Sequence, residues 1–224
     1  MFRGLRLAAA GRRCLPAAAG CAAAALGAAS PWFDRADLAA CETPEVTKRI
    51  APSTLEGKVA LVTGGTGSIG WAVAQSLADA GCKVALVDLN EERCQEMAAR
   101  LPTKSIGGAF DVSSEPAVMD GVGRIRKELG GVDVLVNVAG ILSNNKALET
   151  TADEWRKVHA VNYDSSFYLS KACLPHMVEQ GWGRVINLSS WAWKSGGLTA
   201  GTAYSASKAA LLGLTFSLAR QFAR

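Results

Sequence analysis

From Lys58 onward the chain alternates between two hydrophobic periods, and that alternation restricts the folds open to it more than any other feature. Short aliphatic and β-branched runs, Val59-Ala60-Leu61-Val62, Val84-Ala85-Leu86-Val87, Val132 to Val136 and Arg184-Val185-Ile186-Asn187-Leu188, read as strands. Segments with helical spacing lie near 69–80, 91–101, 115–129, 152–180 and 203–223, and a weaker strand is expected over Ile106 to Phe110. Mostly apolar strands have no solvent face, so both sides of their sheet must be covered. Helical crossovers between parallel neighbours supply that cover. The expected fold over residues 54–224 is therefore α/β, an open doubly wound parallel sheet with helices on both faces.

Charge separates the remainder of the chain from this body. The sequence holds 24 Lys and Arg against 20 Asp and Glu, a net +4. Arg3, Arg6, Arg12 and Arg13 account for the whole excess, and the body is left with 20 of each sign. A neutral body without a basic stripe argues against a nucleic-acid partner, because phosphate contacts need clustered Lys and Arg. Residues 1–30 are Arg-bearing, Ala-rich and acid-free, which reads as a transit peptide for a mitochondrion or plastid. A secretory signal is the alternative, against which its mostly alanine core counts. The 16 residues from Cys14 to Ala29 are too few to span a bilayer, which takes roughly 20. Residues 31–53, with Pro31, Pro44 and Pro52, read as a linker.

The six cysteines, at 14, 21, 41, 82, 94 and 173, form no C-x-x-C motif and have no histidine pair nearby. Neither a zinc site nor a disulfide framework is suggested. Cys82, Cys94 and Cys173 read as small buried hydrophobes. His159 and His176 read as structural residues of the long helical segment.

The turn after the first strand is Thr63-Gly64-Gly65-Thr66-Gly67-Ser68-Ile69-Gly70, and it opens a helix. Gly65, Gly67 and Gly70 satisfy G-x-G-x-x-G, a spacing that allows a tight turn, close approach of backbone to a pyrophosphate, and close packing of helix on strand. The free amides of the helix start would face the phosphates. A nucleotide-hydrolase loop would need Lys and then Ser or Thr after its last glycine, whereas Trp71-Ala72 follow Gly70. Asp88 closes the second strand, where a carboxylate accepts hydrogen bonds from an adenosine ribose and repels a 2′-phosphate. Neither Val87 nor Leu89 is basic, so NAD is expected and NADP disfavoured. The alternative for Asp88 is a turn or helix-capping acid ahead of Asn90.

Tyr204 and Lys208 stand four apart at the start of a helical segment and project from one face. A phenol near its reference pKa of about 10 is a poor acid–base group at neutral pH, and a neighbouring ammonium favours its ionised form. Ser190 follows the last strand at the carboxyl edge, where open sheets bind ligands. No other tyrosine of this chain has a lysine four residues on.

With these residues in view, the span from Lys58 to Arg224 resembles the short-chain dehydrogenase/reductase family in its compact form, and within it the 3-oxoacyl-carrier-protein reductases. The resemblance rests on the glycine turn, Asp111-Val112, Asn137-Val138-Ala139-Gly140, Asn162, Asn187-Leu188-Ser189-Ser190 and Tyr204-Ser205-Ala206-Ser207-Lys208, in that order. It implies that Tyr204 is the general acid/base, that Ser190 positions the carbonyl or hydroxyl, and that Asn162 holds a water in a proton relay. It also implies that Lys208 binds the nicotinamide ribose and favours the Tyr204 phenolate. Thr63, Gly64, Gly65, Gly67, Ser68, Ile69, Gly70 and Asp88 would then bind the cofactor, Asp111 and Val112 flank its adenine, and Asn137, Ala139 and Gly140 line it at the end of the fourth strand. For Asn137 a second role, bridging backbone groups between strands, stands beside the first. A homo-oligomer is expected through the helices around 152–180 and 203–223.

Two departures qualify this reading. The compact pattern T-G-x-x-x-G-x-G puts a glycine where Ser68 stands, and the spacing Thr63-Gly64-x-x-Gly67-x-x-Gly70 resembles the extended branch instead. The compact branch is retained because the surroundings of Asn162, Ser190 and Tyr204 match it. Ser190 and Tyr204 are 14 positions apart, one more than usual, which keeps Ser189 as the alternative to Ser190.

The sequence stops in its last helix, where family members continue, and this leaves an apolar strand edge expected to be unpaired. The expected function is hydride transfer between a nicotinamide cofactor and a carbonyl compound or secondary alcohol, such as a 3-oxoacyl or 3-hydroxyacyl compound. The alternative is a shortened, non-catalytic relative that binds a dinucleotide or pairs with a partner subunit. Trp191 and Trp193, just after Ser190, either wall an apolar substrate or serve packing.

Overall fold

The computed structural model describes residues 55–223. The expected leader over 1–30, the linker over 31–53 and cysteines 14, 21 and 41 lie outside the described residues. The elements alternate as expected: β1 (Val59–Thr63), α1 (Ser68–Asp79), β2 (Lys83–Asp88), α2 (Glu91–Ala98), β3 (Ile106–Ala109), α3 (Glu115–Leu129) and β4 (Val134–Asn137). There follow α4 (Ala152–His159), a π turn (Ala160–Asp164), α5 (Ser165–Glu179), β5 (Arg184–Asn187), α6 (Ala192–Ser195) and α7 (Thr202–Phe222).

The five strands form one parallel sheet in the order β3-β2-β1-β4-β5. β1 lies at its centre and is buried along its whole length. Because side chains alternate across a sheet, neighbouring residues serve opposite cores. Leu61 and Leu135 meet Val118 and Ile125 of α3 and Leu169, Cys173 and Met177 of α5. Val62, Val134 and Val136 meet Ala74 and Ala78 of α1 and Met97 of α2. Each such buried aliphatic side chain contributes about 1.5–3 kcal/mol relative to exposure. The doubly wound architecture follows from this two-sided burial.

Helix ends are set by local chemistry. The side chains of Asn90, Ser114 and Thr151 accept hydrogen bonds from the amides of Arg93, Ala117 and Glu154 and so start α2, α3 and α4. Gly130, at φ 102°, ends α3 in the left-handed region.

Three expectations are corrected. The helix placed over 91–101 stops at Ala98, where tighter turns lead into Pro102. The single helix over 152–180 is broken by the π turn, which its continuous apolar spacing conceals. The one-turn helix α6, inside the Ser190–Tyr204 segment, was not anticipated. The outermost strand β5 leaves Ile186 48% exposed. Among the described residues, no helix is long and apolar enough to cross a membrane.

Candidate active site

The carboxyl ends of β1, β2 and β4 meet at the glycine turn. Gly64 sits at φ +64°, and a Cβ there would come within 2.9 Å of the Ala139 backbone. A Cβ on Gly70 would run into the Gly64 carbonyl, and one on Gly65 into the Leu86 side chain. Gly67 differs from these, being the N-cap of α1 at φ −76°. Its added Cβ would find only the Gly64 oxygen, at 3.4 Å. Within the protein, then, close contact constrains Gly64, Gly65 and Gly70, and Gly67 has only an ordinary contact at the helix start. Gly64 and Gly70 are the pair that backbone contact requires, because the Gly64 carbonyl turns toward the helix start and accepts from the Gly67 amide at 3.2 Å.

No side chain caps α1, so the first-turn amides of the exposed Ser68 and Ile69 are left open. Asp88 ends β2 against this turn. The Thr66 amide and hydroxyl both donate to its Oδ2, at 3.1 and 2.5 Å, while the Leu89 amide donates to Oδ1 at 2.9 Å. Asn90, not Asp88, caps α2. An uncapped helix start, a turn tight enough to reject a Cβ, and a carboxylate held beside it fit a dinucleotide, whose pyrophosphate and ribose need those three features.

At the adjoining edge, Asp111 accepts from the amide and hydroxyl of Ser113, at 2.9 and 2.7 Å, as the acid of a tight turn. Val112 packs its side chain into the core beneath α3, so only its main chain is available to flank an adenine. The Ala139 amide donates to the buried Thr63 hydroxyl at 3.3 Å. Asn137 pairs by register with Asn187 and donates to its side-chain oxygen at 2.8 Å. Asn187 in turn donates to Thr215 of α7 at 2.9 Å. The bridge between backbone groups expected of Asn137 is corrected: its contact across the strands is side chain to side chain. Its own Oδ1 is buried with no partner among the described residues.

The second half of the site gathers around Lys208. Its ammonium, in a residue only 4% exposed, donates to the Leu188 carbonyl at 2.8 Å and lies 5.8 Å from the centre of the Tyr204 ring. Burial holds the Lys208 pKa below the usual lysine value, since a desolvated ammonium is disfavoured. A Cβ on Gly140 would lie 3.5 Å from Lys208 Nζ and 3.2 Å from Asn162 Oδ1, so β4, the π turn and α7 converge here.

Three hydrogen bonds hold the Asn162 side chain. Its Oδ1 accepts from the Ile141 amide at 2.7 Å, and its Nδ2 donates to the Ile141 carbonyl at 3.0 Å and the Ser207 hydroxyl at 3.1 Å. A relay water at this residue would therefore have to use the second lone pair of Oδ1 or the main chain. Ser207 closes the link by donating to the Tyr204 carbonyl at 2.7 Å. The Ser189 hydroxyl is committed to the Lys208 carbonyl at 2.7 Å, whereas Ser190 Oγ only accepts, from the Ala192 amide at 3.2 Å. The Ser190 hydroxyl proton is thus the one left for a ligand.

Thr66, Asn187 and Ser207 join the site without being marked by the motifs. Asn187 carried a readable signal, since it closes the last strand where Asn137 closes the fourth. Thr66 and Ser207 lay inside recognised motifs but at their variable positions. An open apolar groove between α1 and the sheet, bordered by Ile69, Val73, Leu77, Val136 and Ile186, is separate from the Lys208 cluster.

Comparison with known proteins places this geometry in a family. The short chain dehydrogenase family profile matches residues 58–224. The 3-oxoacyl-acyl-carrier-protein reductase of Vibrio cholerae is 40% identical over 170 residues, which cover 75% of this chain and 69% of that protein. The 4-formylbenzenesulfonate dehydrogenase of Comamonas testosteroni is 40% identical over 177 residues, covering 76% of this chain and 69% of that protein. The crystal structure of NAD+-bound xylitol dehydrogenase has a TM-score of 0.72 at 32% identity, over 76% of this chain and 67% of that one. With the glycine turn, the sheet and the Tyr204–Lys208 pair all inside the matched span, the chain belongs to the short-chain dehydrogenase family, as an NAD(P)-dependent dehydrogenase/reductase.

Proposed function

We propose that the chain interconverts a secondary alcohol and its carbonyl compound with NAD rather than NADP, using Tyr204 as general acid/base. The observation that carries this reading is the convergence of Gly140, Asn162, Tyr204 and Lys208, from three separate elements, around one buried ammonium.

Gly64 to Gly70 and Asp88 would hold the dinucleotide, which supplies the hydride acceptor or donor when bound. In the direction of oxidation, the Tyr204 phenolate, favoured by the positive charge of Lys208 beside it, takes the hydroxyl proton of the substrate. In reduction Tyr204 returns that proton. Ser190 donates a hydrogen bond to the substrate oxygen and stabilises negative charge there as it develops. Asn162 fixes Ile141 and Ser207, and through Ser207 the backbone of Tyr204.

The uncompensated carboxylate of Asp88, with no basic neighbour at Val87 or Leu89, favours NAD, as does the NAD+ in the xylitol dehydrogenase structure. The acyl-carrier-protein reductase relative supports a 3-oxoacyl or 3-hydroxyacyl substrate. The acid-free, Arg-bearing residues 1–30 support import into an organelle, and the helices α4, α5 and α7 are the surfaces proposed for self-association.

The test is turnover on a panel of secondary alcohols, 3-hydroxyacyl thioesters and the matching carbonyl compounds with each dinucleotide. Y204F should lower kcat by about 10²–10⁴ and leave NAD binding intact. Binding of NAD without Tyr204-dependent turnover would replace this reading with a non-catalytic dinucleotide-binding role.

A further inference from the structure

The segment joining Ser190 to Tyr204 closes its first half on itself, the Lys194 and Ser195 amides donating to the Trp191 carbonyl and the Gly197 amide to that of Ala192, but residues 198–202 make no such bond within the segment. It contains the one-turn helix α6 and then two consecutive left-handed glycines, Gly196 at φ 72° and Gly197 at φ 71°. Such a glycine pair leaves an untethered loop with large conformational freedom, which ordering must overcome. Yet this segment sets where the Tyr204 hydroxyl stands relative to that of Ser190, because Tyr204 follows the start of α7 at Thr202 by only two residues.

The ordering comes from a distant loop. Lys146 Nζ donates to the carbonyls of Gly197 and Ala200, each at 2.7 Å. The Gly201 amide donates to the Ser143 carbonyl at 2.6 Å and the Thr202 amide to the Asn145 carbonyl at 3.1 Å. A Cβ on Gly201 would come within 2.5 Å of the Asn145 oxygen, so the two strands of chain lie in direct backbone contact. Residues 143–146 are themselves anchored. The Ser143 hydroxyl and the Asn145 side-chain Nδ2 donate to the two carboxylate oxygens of Glu154 on α4, at 2.5 and 2.8 Å. The Lys146 carbonyl accepts from the amides of Glu149 and Thr150, at 3.0 and 2.9 Å. The other end of this loop, Ile141, is gripped by Asn162.

We propose that Lys146 is a positioning residue: by clamping Gly197 and Ala200 it fixes the Ser190–Tyr204 segment, and with it the spacing of the two hydroxyls that must meet one substrate oxygen. The inference rests on the redox reading above. Lys146 touches neither Ser190 nor Tyr204, and it acts through the backbone of the segment between them. A short ion pair would not serve as well, since the two acceptors are uncharged carbonyls that an ammonium can bridge at once with separate N–H groups.

K146M keeps the length of the side chain and removes its donors; K146R keeps donors of similar reach. In K146M the amides of Gly201 and Thr202 should exchange with solvent at least about tenfold faster, while that of Ile141 keeps its protection, because local opening is confined to the released segment. Active sites counted by NAD titration, kcat should fall by roughly tenfold or more, the scale expected when reacting groups are misplaced by about an ångström. The dissociation constant for NAD should stay unchanged, and K146R should recover most of both losses. A general structural role would instead lower melting temperature and folded fraction without changing kcat per NAD-binding site. Unchanged exchange at Gly201 and Thr202, or unchanged kcat per site, overturns the proposal. Should K146M not fold, K146Q, with one short donor, is measured the same way. Absence of turnover by the unsubstituted chain would overturn the redox reading and the catalytic part of this inference together, whereas the exchange measurement decides the clamp independently.

Discussion

Thr66 holds the Asp88 carboxylate with both its amide and its hydroxyl, 3.1 and 2.5 Å from the same oxygen. The carboxylate is therefore oriented before any ligand arrives: Oδ2 is filled by Thr66, and Oδ1, which accepts only from the Leu89 amide, keeps a lone pair for a hydroxyl donor. T66V keeps the amide and loses the hydroxyl. A hydrogen bond to a charged group contributes about 1.5–3 kcal/mol, and only part of this will reach the ligand. NAD affinity should drop by about three- to tenfold, with a smaller change for NADP; calorimetric titration with both dinucleotides checks it. Equal loss for the two would remove Asp88 from cofactor choice.

The glycine turn offers a comparison within one motif. In G70A the new Cβ collides with the Gly64 carbonyl, so either the turn or the helix start must move. Stability should fall by roughly 2–4 kcal/mol and NAD binding should be lost, because the clash is with backbone that cannot swing aside. In G67A the Cβ meets only an ordinary contact at negative φ, and the change should stay within about 0.5 kcal/mol. Urea titration of the two variants, with NAD binding measured alongside, distinguishes them. If G67A proves as damaging as G70A, the close approach has been assigned to the wrong glycine.

Lys208 makes stability depend on pH in a predictable direction. Its pKa in the folded chain lies below the unfolded value of 10.5 because burial disfavours the ammonium. At neutral pH the folded state carries the full penalty of that buried charge. As pH rises through the folded pKa toward the unfolded one, the folded state gives up its proton first and the penalty shrinks, so this group makes stability increase with pH. K208M removes that dependence. The melting temperature of K208M minus that of the unsubstituted chain should accordingly become less positive, or more negative, between neutral pH and 10.5. A difference flat across that range would mean the ammonium is better solvated than its burial indicates.

Burial pushes the Cys173 thiol up to about 12, and Cys82 and Cys94 up to about 11. Almost no thiolate is present at pH 8, and none of the three side chains is exposed. Iodoacetamide should leave all three unmodified in the folded chain and label them on unfolding in urea, as read by peptide mass spectrometry. Labelling of Cys173 before unfolding would show that α5 opens locally.

The parts of this protein that periodicity reveals are those where burial on both sides leaves little choice of residue. β1 and β2 are legible because nearly every position must be apolar. β3 is faint, with Gly107 and Gly108 in its middle, and the reason is tertiary: a Cβ on Gly107 would strike the backbone of α2 at Cys94 and Gln95. The site residues that touch by local spacing, Tyr204 with Lys208 and the glycines with one another, could be read from the chain. Contacts between loops 50 residues apart could not, since Lys146 and Gly197 carry no pattern that relates them. Nor could the choice between Ser189 and Ser190, which turns on a hydrogen bond to a helix carbonyl.

The π turn at Ala160–Asp164 acts as a phase adjuster. One residue of an α-helix corresponds to about 100° of rotation, and a π turn absorbs a single extra residue. Upstream of it, Val158 is buried; within it, Asn162 faces Ile141 and Ser207; downstream, Leu169, Cys173 and Met177 lock against the sheet. An unbroken α-helix would carry these sets out of step, so that seating the core residues would turn Asn162 away from Lys208. Loss of any one residue between 160 and 164 would thus act as a frame error in three dimensions, sparing composition and hydrophobicity while dialling the site and the core to different angles.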